Sequence, residues 1–301
     1  MSRDPRPLRD GVGASRVRLP AGDWPTVHAF LCAHFPAIDA AQWRSRMARG
    51  LVTDEHGHPI AENTPYRIGA TVHYYRELPP EPRIPFEAAI LHRDERLLVV
   101  DKPHFLPVLP AGRFLQETLL VRLKRELGID DLAPLHRIDR GTAGVIVFSL
   151  DARTRDAYQA LFRERRIEKT YEAIAPELPA LDFPRVHRSR LEPGKPFFRM
   201  TERPGVPNSE TRIEVIETHG GFTRYRLFPV TGRKHQLRVH LAALGAPIVD
   251  DPLYPTLRPE LEDDYARPLR LLARAIAFTD PVDSQPRRYE SRRELDDATR
   301  D

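Results

Sequence analysis

Leu135-His-Arg-Ile-Asp139-Arg-Gly-Thr-Ala-Gly144 sets one carboxylate among arginines, then two glycines, then the strand-like Val145-Ile-Val-Phe148. A charged loop that runs into a buried strand is a place where a fixed scaffold presents a reactive side chain. Asp139 is the candidate, because an ionised carboxylate can neutralise positive charge developing on a reacting carbon or capture that carbon covalently. The alternative for an aspartate between Arg137 and Arg140 is a surface salt bridge, which contributes little. Further along, Ile167-Glu-Lys169-Thr-Tyr171-Glu-Ala173 alternates, so Lys169, Tyr171 and Ala173 share one face of a strand. A phenol titrates near about 10, so Tyr171 can act as a base only with a cation to help it; otherwise it packs. Thr231-Gly-Arg233-Lys-His235-Gln236-Leu-Arg238 places a turn glycine and an arginine before a helix whose Leu237, Leu241 and Leu244 face the core and which Gly245 ends. Asp101-Lys102-Pro103, after Leu98-Val-Val, is a strand breaking at a proline-rich elbow.

The elements that must carry these groups are short. Ala89–Leu91, Leu97–Val100, Val145–Phe148, Tyr171–Ala175, Ile213–Val215 and Tyr225–Phe228 have β-branched or aromatic strand content. Leu119–Leu127 and a stretch from Ala152 to about Arg165, with Asp151 as N-cap, have helical periodicity. Turns rather than regular crossover helices separate the strands, which predicts an α+β fold with a largely antiparallel mixed sheet.

Taken together and in this order, the segments resemble the RluA family of pseudouridine synthases. The family's His-Arg-Leu-Asp-x-x-Thr-Ser-Gly motif is matched by His136 to Gly144, Lys-x-Tyr by Lys169-Thr-Tyr171, and Thr-Gly-Arg-x-His-Gln-Ile-Arg by Thr231 to Arg238. The elbow motif falls on Asp101 to Val108, and Gly-x-Pro-Ile-x-x-Asp-x-x-Tyr on Gly245 to Tyr254. Ile138, Ala143, Phe105 and Leu272 stand where the family has leucine, serine, glycine and histidine. The resemblance implies the pseudouridine synthase fold and conversion of uridine to its C-glycoside isomer in folded RNA by base flipping. It implies Asp139, Tyr171 and Arg233 as catalytic residues: Arg233 beside the carboxylate, Tyr171 against the base and placed to remove the C5 proton. His136, Arg137, Thr142, Lys169, His235, Gln236 and Arg238 are implied on the substrate side, with Arg137 filling the gap left by the flipped base. Arg163, Arg165 and Arg166 are candidates for phosphate contacts, the alternative being a solvated helix face.

Such an isomerisation is redox-neutral and moves no phosphate. No nucleotide-binding glycine motif and no metal-ligand spacing occurs, so no cofactor is expected. The rivals are an RNA-binding protein without catalysis and a nucleoside hydrolase, which would need a second carboxylate as acid. In 301 residues the formal net charge is +4, with a pI near 9.3, which suits a polyanionic partner. The single cysteine, Cys32, excludes an internal disulfide or CxxC zinc site, and no apolar run is long enough for a membrane span; a cytosolic monomer is expected.

Residues 1–20, polar and without periodicity, are expected to be a loose arm. From 21 to 77, two short helices, Arg46, Arg49 and Gly50, then Leu51–Thr53 and Thr71–Tyr75 around the turn at Asp54–Gly57 give the layout of a small RNA-binding module. This span resembles the S4 domain, which implies ribosomal RNA as substrate, with transfer RNA the runner-up. Residues 78–87, rich in proline, read as a linker; 88–290 as the catalytic domain; 291–301 as a tail.

Overall fold

The computed structural model describes residues 8–9, 11–77, 80–258 and 263–295. Compactness divides the chain into two units, Met1–Glu81 with Pro110–Gln116, and Pro82–Leu109 with Glu117–Asp301.

In the first unit β1 (Ser15–Arg18), β2 (Val52–Thr53) and β3 (Thr71–Tyr74) form an antiparallel sheet in the order β1-β3-β2. Two helices, α1 (Val27–His34) and α2 (Ala40–Ala48), have side-chain N-caps: Thr26 accepts the Ala29 N–H and Asp39 the Ala41 N–H. Gly50, with φ of +67°, stops α2 in the left-handed conformation that glycine adopts at no steric cost. Phe30, Leu31, Trp43, Met47, Val52 and Val72 form the core. The arm expected over residues 1–20 is shorter than that, because Ser15–Arg18 pairs residue for residue with Thr71–Tyr74 and Leu19 is buried. Alternating small and charged residues hid a two-sided edge strand from a periodicity reading. Residues 1–7 lie outside the described residues.

The second unit is an eleven-stranded mixed sheet, ordered β10-β9-β11-β12-β8-β13-β7-β5-β4 with β14 on β13 and β6 on β7. Its strands are β4 (Ala89–Arg93), β5 (Leu97–Lys102), β6 (Ala133–Pro134), β7 (Ala143–Ser149), β8 (Glu168–Pro176), β9 (Arg185–Pro193), β10 (Met200–Arg203), β11 (Ser209–His219), β12 (Phe222–Pro229), β13 (Leu271–Thr279) and β14 (Pro286–Glu290). Among the described residues only β13 and β7 pair in parallel. The helices are α3 (Leu119–Leu127), α4 (Arg155–Arg163) and α5 (Gln236–Ala243). Tyr158 and Leu161 of α4 pack on Val99, Val145, Val147 and Ile276, while Leu237 and Leu241 of α5 pack on Ala173, Ile213, Tyr225 and Leu271.

Asp151 is not the N-cap of the helix it precedes. The helix begins at Arg155, and Asp151 instead accepts the Arg153 N–H at 2.9 Å and pairs with that guanidinium. Of the expected linker, residues 78–79 lie outside the described residues and the rest does not read as a free spacer. Ile84 is buried, and Arg122 caps the carbonyls of Ile84 and Phe86 at 2.7 Å each, an arginine supplying the donors that a proline-rich segment finds in no ladder. The expected tail is likewise docked at its start: Ser291 Oγ donates to Asp101 at 2.7 Å and Leu295 is buried, with 296–301 outside the described residues.

Gly144 sits where the loop bearing Asp139 enters β7, with φ of +110°, and a methyl group there would collide with the Ala273 carbonyl of β13. Gly144→Ala is therefore expected to cost about 2–6 kcal/mol, backbone strain and overpacking together, read as a lowered denaturation midpoint with an unchanged slope.

Candidate active site

Two segments of the second unit meet at the loop 135–142. Lys102, at the end of β5, is fully buried, and its ammonium donates to the carbonyls of Pro103 and Leu106 at 2.8 Å and of Arg140 at 3.1 Å. Burial pushes its pKa well down, with the charge of Arg293 in the same direction. His104 donates from Nδ1 to the Gly141 carbonyl at 2.6 Å, and burial holds its pKa down at about 4, so the ring is neutral at pH 7. The elbow thus grips the backbone on the C-terminal side of Asp139. On the N-terminal side, the Val147 N–H donates to His136 Nε2 at 3.1 Å, which leaves the proton of a neutral ring on Nδ1. His136 stacks on Phe162 with centroids 4.9 Å apart, and burial, then Lys169, pushes its pKa down to about 3.

Asp139 itself is 27% exposed. Burial raises its pKa, but the charge of Arg238, helped by His235 and by the Arg238 hydrogen bond, prevails and holds the carboxyl below its ordinary value. Arg238 Nη1 donates to Asp139 Oδ2 at 3.0 Å, while its Nε and Nη2 donate to the two oxygens of Asp251 at 2.7 Å each. Asp251 also accepts the N–H groups of Leu253 and Tyr254 at 2.8 and 3.1 Å. One guanidinium therefore binds a fully buried carboxylate in fork geometry and turns its remaining nitrogen, Nη1, to the part-exposed one.

The arginine beside Asp139 is thus Arg238 and not Arg233. Arg233 lies in the turn before α5, exposed, with its Nε donating to the Asn208 carbonyl at 3.2 Å, whereas Arg238 falls in the first helical turn on the buried side. Its place in an apolar run, Leu237-Arg238-Val239, was the available signal, since a buried guanidinium requires a carboxylate.

Gln236 is buried and its amide is spent inside the protein: Oε1 accepts Thr231 Oγ1 at 2.6 Å and the Arg233 N–H at 3.1 Å, and Nε2 donates to Glu210 O and Thr211 Oγ1 at 2.9 Å. It holds the turn instead of facing a ligand. Thr142 is also buried, its N–H donating to Asp139 O at 3.1 Å. His235 has φ of +55°; its Nδ1 is 2.9 Å from the Tyr254 hydroxyl and its Nε2 3.9 Å from Asp139, too far for a hydrogen bond. Burial pushes its pKa down to about 4, so it is uncharged at pH 7.

Tyr171, on β8 opposite Leu227, is half-buried. Burial, then the charge of Asp139, raises the pKa of its phenol, so the resting side chain is protonated. Lys169 is turned to a different partner: its ammonium donates to Thr231 O at 3.4 Å, and burial lowers its pKa. Arg137 is exposed and makes no hydrogen bond or ion pair among the described residues. Arg163 and Arg166 pair with Asp156 and Glu164 on the surface.

Among the described residues, the group with metal-like spacing is His187, Glu202 and His240. His240 is fully buried with both nitrogens taken by hydroxyls, Ser189 and Ser209 at 3.1 and 2.9 Å and Thr211 at 3.0 Å, which fits a structural core histidine. No helix among the described residues is long and apolar enough to cross a membrane.

A family model described as RNA pseudouridylate synthase matches residues 96–243. An uncharacterized RNA pseudouridine synthase of Synechocystis sp. is 32% identical over 218 residues, 70% of this chain and 73% of that protein. The dual-specificity RNA pseudouridine synthase RluA of Yersinia pestis is 32% identical over 212 residues, 68% of this chain and 99% of that protein. The structure of human RNA pseudouridylate synthase domain containing 1 matches with a TM-score of 0.56 at 24% identity, over 70% of this chain and 86% of that one, a likeness of fold. The mixed sheet and the motifs on its loops define a pseudouridine synthase, an isomerase acting on RNA. More narrowly, the chain belongs to the RluA-type family and converts uridine to pseudouridine in RNA.

Because the Asp139 pKa is depressed in the folded state, its pairing stabilises the fold above the ordinary carboxylate range, and that contribution is lost as pH falls through the folded value. In Arg238→Gln the burial effect loses the largest charge that opposes it, with His235 and Lys102 still acting the other way, so the acid limb of the kcat profile, followed by release of the uracil C5 hydrogen, is expected to move to higher pH. The same change strands buried Asp251, and a fall in stability of about 3–5 kcal/mol is expected; an acid limb that stays in place would contradict this account of Asp139.

Proposed function

We propose that Asp139 is the carboxylate that acts at the sugar carbon of the target uridine and that the RNA is ribosomal. The observation carrying the first part is the single bond from Arg238 to a half-exposed Asp139, which keeps the carboxylate ionised while one oxygen remains available. As the C1′–N1 bond breaks, an anionic oxygen beside C1′ stabilises or captures the cationic sugar. The freed uracil turns, the C1′–C5 bond forms, N1 gains a proton and C5 loses one. Tyr171 lies against the base. A phenol with a raised pKa is no ready base at rest, so it accepts the C5 proton only as its own passes on, and N1, which gains a proton in the same exchange, is the acceptor that balances it. Arg137, exposed and unengaged, enters the stack in place of the flipped nucleotide, an extrusion that costs a few kcal/mol. Lys169, His235 and Thr142 shape the pocket wall.

The first unit is an S4-like module that adds RNA contacts, with ribosomal RNA as the target and transfer RNA the second possibility; the enzyme works as a cytosolic monomer. What supports the module is two short helices leading into a small antiparallel sheet, with Arg16 and Arg18 exposed on β1. Arg46 and Arg49 are engaged with Glu77 and are not free for phosphate.

Pseudouridine mapping of total RNA from cells with the gene intact, deleted, or restored as Asp139→Asn tests both parts. A site lost on deletion, not regained with the variant, and lying in ribosomal RNA is the expected result; a regained site removes Asp139 from the chemistry, and a site in transfer RNA replaces the substrate. Arg16→Glu with Arg18→Glu is expected to weaken binding of the mapped RNA and flatten its salt dependence, since two phosphate contacts account for a slope of about two in log–log terms.

A further inference from the structure

Phe105 occupies a backbone conformation, φ of +64°, that a bulky residue adopts only when its surroundings hold it there. Its ring stacks on Phe86, with centroids 6.0 Å apart and planes at 21°, and meets Tyr265 edge-on at 5.1 Å; Phe86 and Tyr265 meet edge-on at 5.3 Å. The guanidinium of Arg140, the residue after Asp139, lies over the Phe105 ring at 5.9 Å and is ion-paired with Asp263, two residues before Tyr265. Close by, a methyl group on Gly141 would come within 3.2 Å of Leu269, so the segment 263–269 also lies against the reactive loop.

We propose that Phe105 is a positioning residue for catalysis: with Asp263 it fixes the Arg140 side chain, and through it the backbone that aims Asp139. This rests on Asp139 being the reacting carboxylate. Side-chain hydrogen bonds from Lys102 and His104 hold the loop's carbonyls, but a carbonyl grip leaves the peptide planes free to rock about it. Clamping a side chain between a ring and a carboxylate removes that freedom. A left-handed phenylalanine is the arrangement expected if the ring's contacts matter more to the protein than a relaxed elbow. Were the elbow's shape the only requirement, glycine would serve at this φ without strain.

That difference gives the test. Phe105→Gly suits the observed backbone, so its melting temperature is expected to stay within a few degrees of the parent. Its kcat on the RNA substrate is expected to fall roughly 10- to 100-fold, with KM changed by less than about twofold, as for a reacting group displaced by part of an ångström. Phe105→Tyr, which keeps the ring, restores kcat. Arg140→Gln and Asp263→Asn show the same fall, and Phe105→Gly with Arg140→Gln falls no further than either alone, because both remove one clamp. A Phe105→Gly enzyme with parental kcat, or losses that add in the double variant, overturns the proposal. If Phe105→Gly does not fold, parental kcat in both Arg140→Gln and Asp263→Asn overturns it equally. Asp139→Asn run alongside separates the two readings: activity in that variant means that the carboxylate assignment failed, whereas its inactivity beside a parental Phe105→Gly means that only the clamp failed.

Discussion

Arg238 stands between two carboxylates in a space that leaves its side chain only 5% exposed. Bare transfer of such charges from water is costly, and the cost is met only when every donor finds an oxygen at good geometry. Asp251, with no exposed surface, takes the fork of Nε and Nη2 and two backbone N–H groups besides, so it is fully occupied. Nη1 alone remains, and it points at Asp139. Helix α5, the turn before it and the 245–254 segment are arranged so that this guanidinium cannot swing away: Gln236 ties the turn to β11, and the Tyr254 ring lies under the Arg238 guanidinium at 5.3 Å.

Around this ion triad the backbone is held in conformations that it would not choose. Phe105, His235 and Asp250 are three of the five non-glycine residues with positive φ among the described residues, and they belong to the three segments that surround Asp139: elbow, turn and post-helix loop. Left-handed residues persist where surrounding contacts over-determine them, and here the contacts are aromatic stacking, a tyrosine hydroxyl and a group of arginines around Asp250. The loop that bears Asp139 gains fixed direction at the expense of local backbone comfort.

Much of this was legible in the residue order. The loop ending in Gly144, the Lys169–Tyr171 strand face, the helix closed by Gly245 and the elbow at Lys102 all fall on elements whose local signals are strong, because alternation, glycine and proline act within a few residues. The edge strand at Ser15–Arg18 and the docked stretches at 84–86 and 291–295 were not legible, since their partners lie far along the chain: Thr71–Tyr74, Arg122 and Asp101.

Which residue types stand ready for chemistry, and on which local element, was determined by the sequence alone. Asp139 on a loop before a strand, Tyr171 on a strand face and two arginines around one helix start follow from spacing and periodicity. Which arginine meets the carboxylate was decided only by the tertiary structure. Arg233 and Arg238 are equally charged and five residues apart, but the first lies in a turn open to solvent and the second on the helix face turned to the core, where Asp139 and Asp251 receive it. Hydrogen-bond capacity in a buried volume is a property of everything that lines it. So Gln236, polar and seemingly free in the sequence, is spent on the turn, and the ionisation of Asp139 is fixed by an arginine ninety-nine residues away.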